Sequence, residues 1–93
     1  MTDAAAVSRR VTILNKRGLH ARAAAKFVKL AAQFQAEVMV TKDGTAVSGR
    51  SIMGLMMLAA SPGTELQLAA SGADAEAALA ALAALVAAKF DED

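Results

Sequence analysis

The stretch Asn-Lys-Arg-Gly-Leu-His-Ala-Arg-Ala-Ala-Ala-Lys-Phe-Val, residues 15–28, joins a glycine-containing turn to the start of a helix and holds the only histidine, His20. From Ala21 to about Gln33 the residues are strong helix formers. An apolar stripe with helical spacing is formed by Phe27, Leu30, Ala31 and Phe34. The pattern predicts an amphipathic helix that begins directly after His20.

The N-terminus of this predicted helix lacks the usual capping residues. No Ser, Thr, Asp or Asn directly precedes Ala21, and no acidic residue lies in the first turn. The first turns carry Arg22 and Lys26 instead, although cations are unfavourable beside the positive end of a helix dipole. A bound phosphate or carboxylate would offset this cost, because the unbonded N–H groups, the dipole and the Arg22 guanidinium all attract anions.

Two interpretations of His20 remain open from the residues alone. In the first, its imidazole lies at an anion site and binds the anion or becomes covalently phosphorylated, since a neutral ring nitrogen is a nucleophile. In the second, His20 is a surface residue at the start of a helix, beside solvated charges.

Composition limits the possible classes of protein. A chain of 93 residues with no cysteine suits one small domain without disulfides, and a single histidine argues against a zinc or iron site, so we predict no metal and no cofactor. The first residues lack the features of a secretory signal, which predicts a cytoplasmic protein. The longest apolar run, residues 77–88, is shorter than the ~20 residues that cross a bilayer, so no membrane insertion is expected.

Charge is distributed unevenly along the chain. Residues 1–36 carry a net charge of +6 and the remaining residues −5, so the half with His20 should attract phosphates and acidic protein surfaces. Lys16 and Arg17 either steer such partners or are ordinary loop cations. Trp and Tyr are absent, and Phe27 and Phe34 belong to the apolar stripe, so nucleic-acid binding is not expected.

The rest of the chain alternates short strands with two further helices. Strands are predicted at residues 9–14, 37–41, 45–48 and 65–70, with a hairpin turn at Asp43-Gly44. A short helix is predicted at residues 51–58, and a last helix is expected to be capped by Asp74. The apolar stripe of this last helix comprises Leu79, Leu82, Val86 and Phe90, widened by Leu85. The order is βαββαβα, with helices able to cover one face of an antiparallel sheet.

The short helix forms a second motif, at residues 49–58. Ser51 stands at its N-cap position, a structural role that would account for it fully. Large apolar residues occupy more of this helix than one buried face requires; they are Ile52, Met53, Leu55, Met56, Met57 and Leu58. In one interpretation some of these side chains are exposed and form an adaptable contact surface. In the other, most of them belong to the core and only one or two are exposed.

Gly18-Leu19-His20-Ala21-Arg22, together with Ser51-Ile52-Met53-Gly54-Leu55-Met56, resembles HPr, the histidine phosphocarrier family of the bacterial phosphoenolpyruvate-dependent phosphotransferase system. The resemblance runs from about Arg9 to Phe90. It implies an α+β open-faced sandwich with three helices on one face of a four-stranded antiparallel sheet. We expect residues 1–93 to form this single domain, with about residues 1–8 disordered or loosely attached.

The resemblance also implies roles for particular residues. His20 would be phosphorylated on Nδ1, Arg22 would neutralise the phosphoryl group, and Ser51 would be the regulatory site of an ATP-dependent HPr kinase/phosphorylase. One departure is Ala23, where the family usually has proline. Alanine is also acceptable in a first turn, so the change should loosen the helix start without removing chemistry.

The predicted function is that of a stoichiometric phosphoryl carrier, not an enzyme, working as a monomer between enzyme I and enzyme IIA-type proteins. Partner contacts are assigned to Lys16, Arg17, Lys26, Ile52, Met53, Leu55 and Met56. One alternative is a regulatory phosphocarrier of the nitrogen branch. Another is a non-catalytic interaction module that uses the Met-rich helix, whose binding would be indifferent to His20→Ala.

Overall fold

A computed structural model describes residues 6–92 and contains the elements in the predicted order. The strands are β1 (Val7–Thr12), β2 (Glu37–Lys42), β3 (Thr45–Ser48) and β4 (Glu65–Ser71). The helices are α1 (Ala21–Ala31), α2 (Ile52–Met57) and α3 (Ala75–Ala87), followed by one 3-10 turn at Lys89–Asp91. The predicted α+β class, with an open four-stranded sheet and three helices, is confirmed.

The sheet is antiparallel throughout, with the strand order β1-β4-β2-β3. Leu66 of β4 pairs with Val11, and Leu68 pairs with Val40. Both leucines are buried, as their alternation with polar neighbours predicted. One face of the sheet is therefore covered by the helices, and the other remains open.

The β2–β3 hairpin follows from its turn residues. Asp43 and Gly44 have φ values of 50° and 84°, the two consecutive positive values that a type I′ turn requires. This turn matches the right-handed twist of the paired strands, so it fixes their register. The predicted hairpin and the bounds of the third strand are confirmed.

The core lies between the helices and the covered face of the sheet. Helix α3 contacts β1 and β4, and α1 contacts α2 and α3. Among the largest fully buried side chains are Phe27, Ile13, Leu55, Leu68, Leu82 and Phe90. Ala24 and Ala78 are also fully buried, and their small side chains allow the helix backbones to approach closely. None of the helices within residues 6–92 is long and apolar enough to cross a membrane.

The two ends of α3 were predicted only in part. Asp74 occupies the N-cap position, but its carboxylate makes no capping bond and instead accepts a hydrogen bond from the backbone N–H of Gln35 at 2.7 Å. The helix ends at Ala87, and Phe90 is buried through the following turn, not along the helical stripe. Asp74 therefore joins α3 to the loop after α1, and Phe90 fixes the chain beyond α3.

The N-terminal boundary also differs from the expectation. Val7 and Ser8 belong to β1 and pair with Ala70 and Ala69 of β4, so loose attachment is wrong for these two residues. The remainder of that prediction concerns residues 1–5, which lie outside the described residues, and Ala6.

Gly18 should tolerate alanine much less well than Gly44, although both have positive φ (64° and 84°). A Cβ at Gly18 would lie 2.3 Å from the carbonyl oxygen of Ala60, whereas one at Gly44 would have no neighbour within 4 Å. Gly44→Ala should reduce the free energy of unfolding by about 1 kcal/mol, the cost of left-handed backbone alone. Gly18→Ala should cost about 3 kcal/mol because the loop before α1 must also shift. Urea unfolding of both variants measures the difference, and equal losses would contradict it.

Candidate functional site

His20 is itself the N-cap of α1. Its backbone is extended, with φ −78° and ψ −178°, and its ring Nδ1 accepts a hydrogen bond from the backbone N–H of Arg22 at 3.3 Å. The first helical bond follows, from the Ala24 N–H to the His20 carbonyl at 2.8 Å. The expectation of an uncapped helix was wrong, because the imidazole supplies the acceptor that Ser or Asp usually provides.

The other ring nitrogen faces a carboxylate. Nε2 of His20 lies 3.0 Å from both side-chain oxygens of Glu92, a residue 72 positions further along the chain. The His20 side chain is 24% exposed and that of Glu92 is 12% exposed, so the contact is largely shielded from solvent. The imidazole is thus held on both sides, by a backbone donor at Nδ1 and by a carboxylate at Nε2.

Asn15 connects this carboxylate to the loop before the helix. Its side chain is fully buried, and its Nδ2 donates to the Gly18 carbonyl at 2.8 Å and to Oε1 of Glu92 at 2.9 Å. Its Oδ1 has no hydrogen-bond partner among the described residues. A buried acceptor without a partner costs about 1–3 kcal/mol, so the two bonds from Nδ2 must compensate for it.

These contacts change the titration of Glu92. The hydrogen bond with His20 lowers the pKa of the Glu92 carboxyl below its ordinary value of 4.5, and the bond from Asn15 acts in the same direction against the opposing effect of burial. A carboxyl with a lowered pKa in the folded state stabilises the fold above its unfolded pKa. That contribution is lost as the pH falls through the lowered folded pKa and the Glu92 carboxyl becomes protonated.

The four basic residues that were assigned to the site differ in their surroundings. Lys16, Arg17 and Arg22 are exposed around the start of α1. Lys26 is half-buried, and its Nζ donates to the carbonyl oxygen of Phe90 at 2.6 Å. Lys26 therefore ties the turn after α3 to α1, in addition to contributing positive charge.

The second motif folds largely as predicted. Ser51 caps α2, with its Oγ accepting a hydrogen bond from the Gly54 N–H at 2.9 Å. Ile52, Met53, Met56 and Met57 are exposed, Met53 by 71% and Met57 by 79%. We call these four residues the Met surface. The assignment of Leu55 to partner contact was wrong, because Leu55 is fully buried in the core.

The Met surface lies next to the His20 loop. Helix α2 packs against α1, and the backbone N–H of Leu19 donates to the carbonyl of Ala60, shortly after α2, at 2.9 Å. The structure therefore brings both sequence motifs to one side of the molecule.

Sequence reasoning missed Asn15 and Glu92 as members of the site. Asn15 lies in the stretch of residues 15–28, but nothing in its neighbours indicates that it is buried. Glu92 lies in an acidic run, residues 91–93, just after the apolar stripe of α3, which was the only local signal. Among the described residues, no cluster of three or more potential metal ligands occurs.

The fold and the site together define a small α+β domain that presents a histidine at a helix N-terminus. A family model described as "PTS HPr component phosphorylation site" matches residues 7–88. The chain is 52% identical over 82 residues to the phosphocarrier protein HPr of Neisseria meningitidis serogroup A, covering 88% of this chain and 92% of that protein. The chain belongs to the HPr family of phosphocarrier proteins.

Two further similarities place it within that family. It is 49% identical over 86 residues to the phosphocarrier protein NPr of Shewanella violacea, covering 92% of this chain and 94% of that protein. The crystal structure of HPr-C-His from Thermoanaerobacter tengcongensis superposes with a TM-score of 0.89 at 44% identity, covering 94% of this chain and 98% of that chain. The resemblance seen in the sequence is thereby confirmed, together with its fold.

The titration of Glu92 should depend on His20. In the parent protein the side-chain carboxyl should titrate below 4.5, and His20→Ala should raise its pKa towards that value by removing the largest cause of the shift. Carboxyl ¹³C chemical shifts measured against pH report this directly. Arg22→Ala is the control, because it removes a nearby charge without removing a contact of Glu92. A Glu92 pKa unchanged by His20→Ala would contradict the prediction.

Proposed function

We propose that His20 carries a phosphoryl group on Nδ1 from phosphorylated enzyme I to enzyme IIA-type proteins. The observation that supports this choice of atom is that Nδ1 faces the backbone N–H of Arg22 in the first turn of α1, whereas Nε2 is occupied by Glu92. An anion attached to Nδ1 would meet the positive end of the helix dipole. The exposed Arg22, two residues further on, can place its guanidinium on the same anion.

Each transfer requires only an exchange of the bonds to phosphorus. The Nδ1 lone pair attacks the phosphorus, the bond to the donor atom of enzyme I breaks, and the donor keeps that electron pair. Delivery to the acceptor reverses these roles. Such a step depends on positioning and on neutralising charge on the phosphoryl oxygens, which Arg22 and the helix N–H groups supply. The protein then acts as a stoichiometric carrier, with no cofactor and no turnover of its own.

The Met surface is the proposed docking site for both partners. Its thioether side chains are flexible and adapt to different surfaces, which suits a carrier that must bind a donor and an acceptor in turn. Lys16 and Arg17 add positive charge that steers acidic partner surfaces and speeds encounter. A carrier of this kind works in the cytoplasm, as a monomer, because self-association through the Met surface would block docking.

Ser51 is the proposed regulatory site in organisms with an HPr kinase/phosphorylase. A phosphate on its Oγ would lie at the N-terminus of α2, where negative charge is compatible with the fold. The same charge would border the exposed side chains of Ile52 and Met53 and hydrate an apolar docking surface. Phosphorylation should therefore weaken docking while leaving the fold intact.

The nitrogen branch is the second candidate pathway. The identities to an HPr and to an NPr are almost equal, at 52% and 49%, so similarity does not distinguish sugar uptake from nitrogen-related regulation. The two pathways use the same chemistry at His20 and differ in the enzyme IIA-type acceptor.

Phosphorylation by phosphoenolpyruvate and the matched enzyme I should give one acid-labile phosphate, detected by intact mass, that His20→Ala abolishes. Arg22→Ala should slow the transfer roughly 100-fold, the scale of losing one charge-stabilising donor, with little effect on unfolding. Lys29→Ala is the matched control, since it removes an exposed cation from the other end of α1. A label that persists in His20→Ala would refute the site. Without any label, partner binding indifferent to His20→Ala would favour the interaction-module alternative.

The same assay separates the two branches when enzyme IIA-type proteins of each branch are offered as acceptors. Faster phosphoryl transfer to one of them, measured with equal concentrations of carrier, identifies the pathway.

Ser51→Asp should weaken binding to enzyme I, measured by calorimetry, and slow the transfer. Ser8→Asp is the matched control, because Ser8 is exposed on β1, away from α2, and gains the same charge. Ser51→Ala should lower the free energy of unfolding by about 1 kcal/mol through loss of the cap, without weakening docking. Unchanged transfer in Ser51→Asp, or failure of a purified kinase with ATP to modify Ser51, would refute the switch.

A further inference from the structure

Glu92 is held at the phosphoryl-accepting histidine by a conformation that is costly to form. Lys89, Phe90 and Asp91 have φ values of 57°, 55° and 60°, three consecutive non-glycine residues in the left-handed region. Such backbone costs about 1–2 kcal/mol per residue and normally occurs at single residues only. Strain of this kind persists where surrounding contacts over-determine it, and it concentrates at functional sites.

The contacts that maintain this turn come from α1 and the core. Phe90 is fully buried, its carbonyl accepts the 2.6 Å hydrogen bond from Lys26, and the Glu92 N–H donates to the Lys89 carbonyl at 3.1 Å. Beyond the turn, the Glu92 side chain meets His20 and the buried amide of Asn15. Burial of Phe90 and the hydrogen bonds from Lys26 and Asn15 therefore fix this carboxylate beside Nε2 of His20. Glu92 also lies outside residues 7–88, the part of the chain that matches the family model.

The two contacts of the ring determine where its proton resides. An ionised carboxylate can only accept hydrogen bonds, so Nε2 beside Glu92 must carry a proton and donate it. The backbone N–H of Arg22 can only donate, so Nδ1 must present a lone pair to it. Both contacts favour the same neutral tautomer, with the proton on Nε2. This tautomer leaves Nδ1 able to attack phosphorus.

We propose that Glu92 is a positioning residue for phosphoryl transfer, which holds His20 in the Nε2–H tautomer and stabilises the cationic ring formed when Nδ1 is phosphorylated. This inference rests on the proposed function of His20. When neutral imidazole forms the P–N bond with its Nδ1 lone pair, the Nε2 proton stays in place and the ring becomes positively charged. The carboxylate of Glu92 is already beside that proton, so no group needs to move to compensate the new charge. A carboxylate that orients an imidazole through its second nitrogen acts in this way at many metal and catalytic sites.

The expected effect on transfer follows from this role. Removing such an orienting partner typically costs 10–100-fold, and we expect about tenfold here because the ring is 24% exposed and water can replace the carboxylate in part. The loss should affect the rate of phosphoryl acceptance and the fraction of carrier phosphorylated at equilibrium. Binding of enzyme I should change little, because the Glu92 side chain is only 12% exposed and is not part of the Met surface.

The test compares the full chain with three variants. Glu92→Gln removes only the charge, Glu92→Ala removes the contact, and Asp91→Asn removes a neighbouring exposed charge without touching His20. Asparagine tolerates the left-handed φ of residue 91, so the matched control should fold normally. Thermal unfolding of all four proteins establishes that each is folded at the temperature used.

Two measurements are made on each protein. Long-range ¹H–¹⁵N NMR correlations of the imidazole, recorded without phosphate, give the tautomer. Phosphorylation by phosphoenolpyruvate and enzyme I, followed by intact mass, gives the rate. The parent and Asp91→Asn should show the Nε2–H tautomer and equal rates. Both Glu92 variants should accept phosphate about tenfold more slowly, and Glu92→Ala should show a mixture of tautomers.

The outcomes distinguish this inference from the proposed function. A labelled parent with equal rates in Glu92→Ala overturns the role of Glu92 and leaves the function of His20 standing. If the His20 ring of the parent protein is protonated mainly on Nδ1 at neutral pH, the role of Glu92 is overturned as well, whatever the transfer rates. Equal slowing in Asp91→Asn would show that losing any negative charge in this turn slows the transfer. That result would also overturn the specific role of Glu92. If no protein is labelled, the proposed function itself fails, and the positioning role fails with it.

Discussion

The imidazole of His20 is held between a donor at Nδ1 and a carboxylate at Nε2, and the rest of the site is arranged around this pair of contacts. Capping α1 with a histidine places a ring nitrogen with a lone pair at the positive end of a helix dipole, where negative charge is stabilised. A serine or aspartate would also cap the helix, but neither would provide a ring nitrogen whose lone pair can form a P–N bond. The same ring therefore completes the helix and carries the proposed chemistry.

The fold contributes to this arrangement from distant parts of the chain. The loop before α1 bonds to Ala60 through Leu19, the Asn15 amide reaches Gly18 and Glu92, and Lys26 ties down the turn after α3. Apart from the bond between Asn15 and Gly18, which lies within the loop, each bond joins the His20 region to an element that is remote in sequence. Loss of tertiary packing would free the ring even if α1 remained helical, so the reactivity of His20 depends on the whole fold.

Local sequence patterns predicted most of the fold because most of it depends on short-range chemistry. Asp43-Gly44 is a turn signal in itself, and the alternation at Leu66 and Leu68 marks the covered face of the sheet without reference to any other residue. The face of α2 was harder to assign. A six-residue helix with large apolar side chains almost all round has no periodicity that separates buried Leu55 from exposed Met53 and Met57.

The part of the site that sequence reasoning missed depends on three consecutive left-handed residues, a backbone conformation that a local sequence seldom favours. Lys89 and Phe90 do not favour left-handed backbone, although Asp91 tolerates it, and an extension of the stripe of α3 was the simpler interpretation of Phe90. The turn exists because burial of Phe90 and the bond from Lys26 offset its cost. Only that offset brings Glu92 to a histidine 72 positions away, so the contact follows from tertiary structure alone.

A carrier must release what it binds, and the charges around His20 suit this requirement. Arg22 and the N-terminus of α1 favour a phosphoryl dianion, whereas the nearby carboxylate of Glu92 repels it and stabilises the cationic ring to which it is attached. If only cations surrounded the ring, the phosphoryl group would be held too firmly to pass on. Without a carboxylate at Nε2, the charged ring would lack a partner and acceptance would be harder. If His20 carries the phosphoryl group as proposed, these opposing contacts would bring the phosphorylated and free forms closer in energy than either contact would alone.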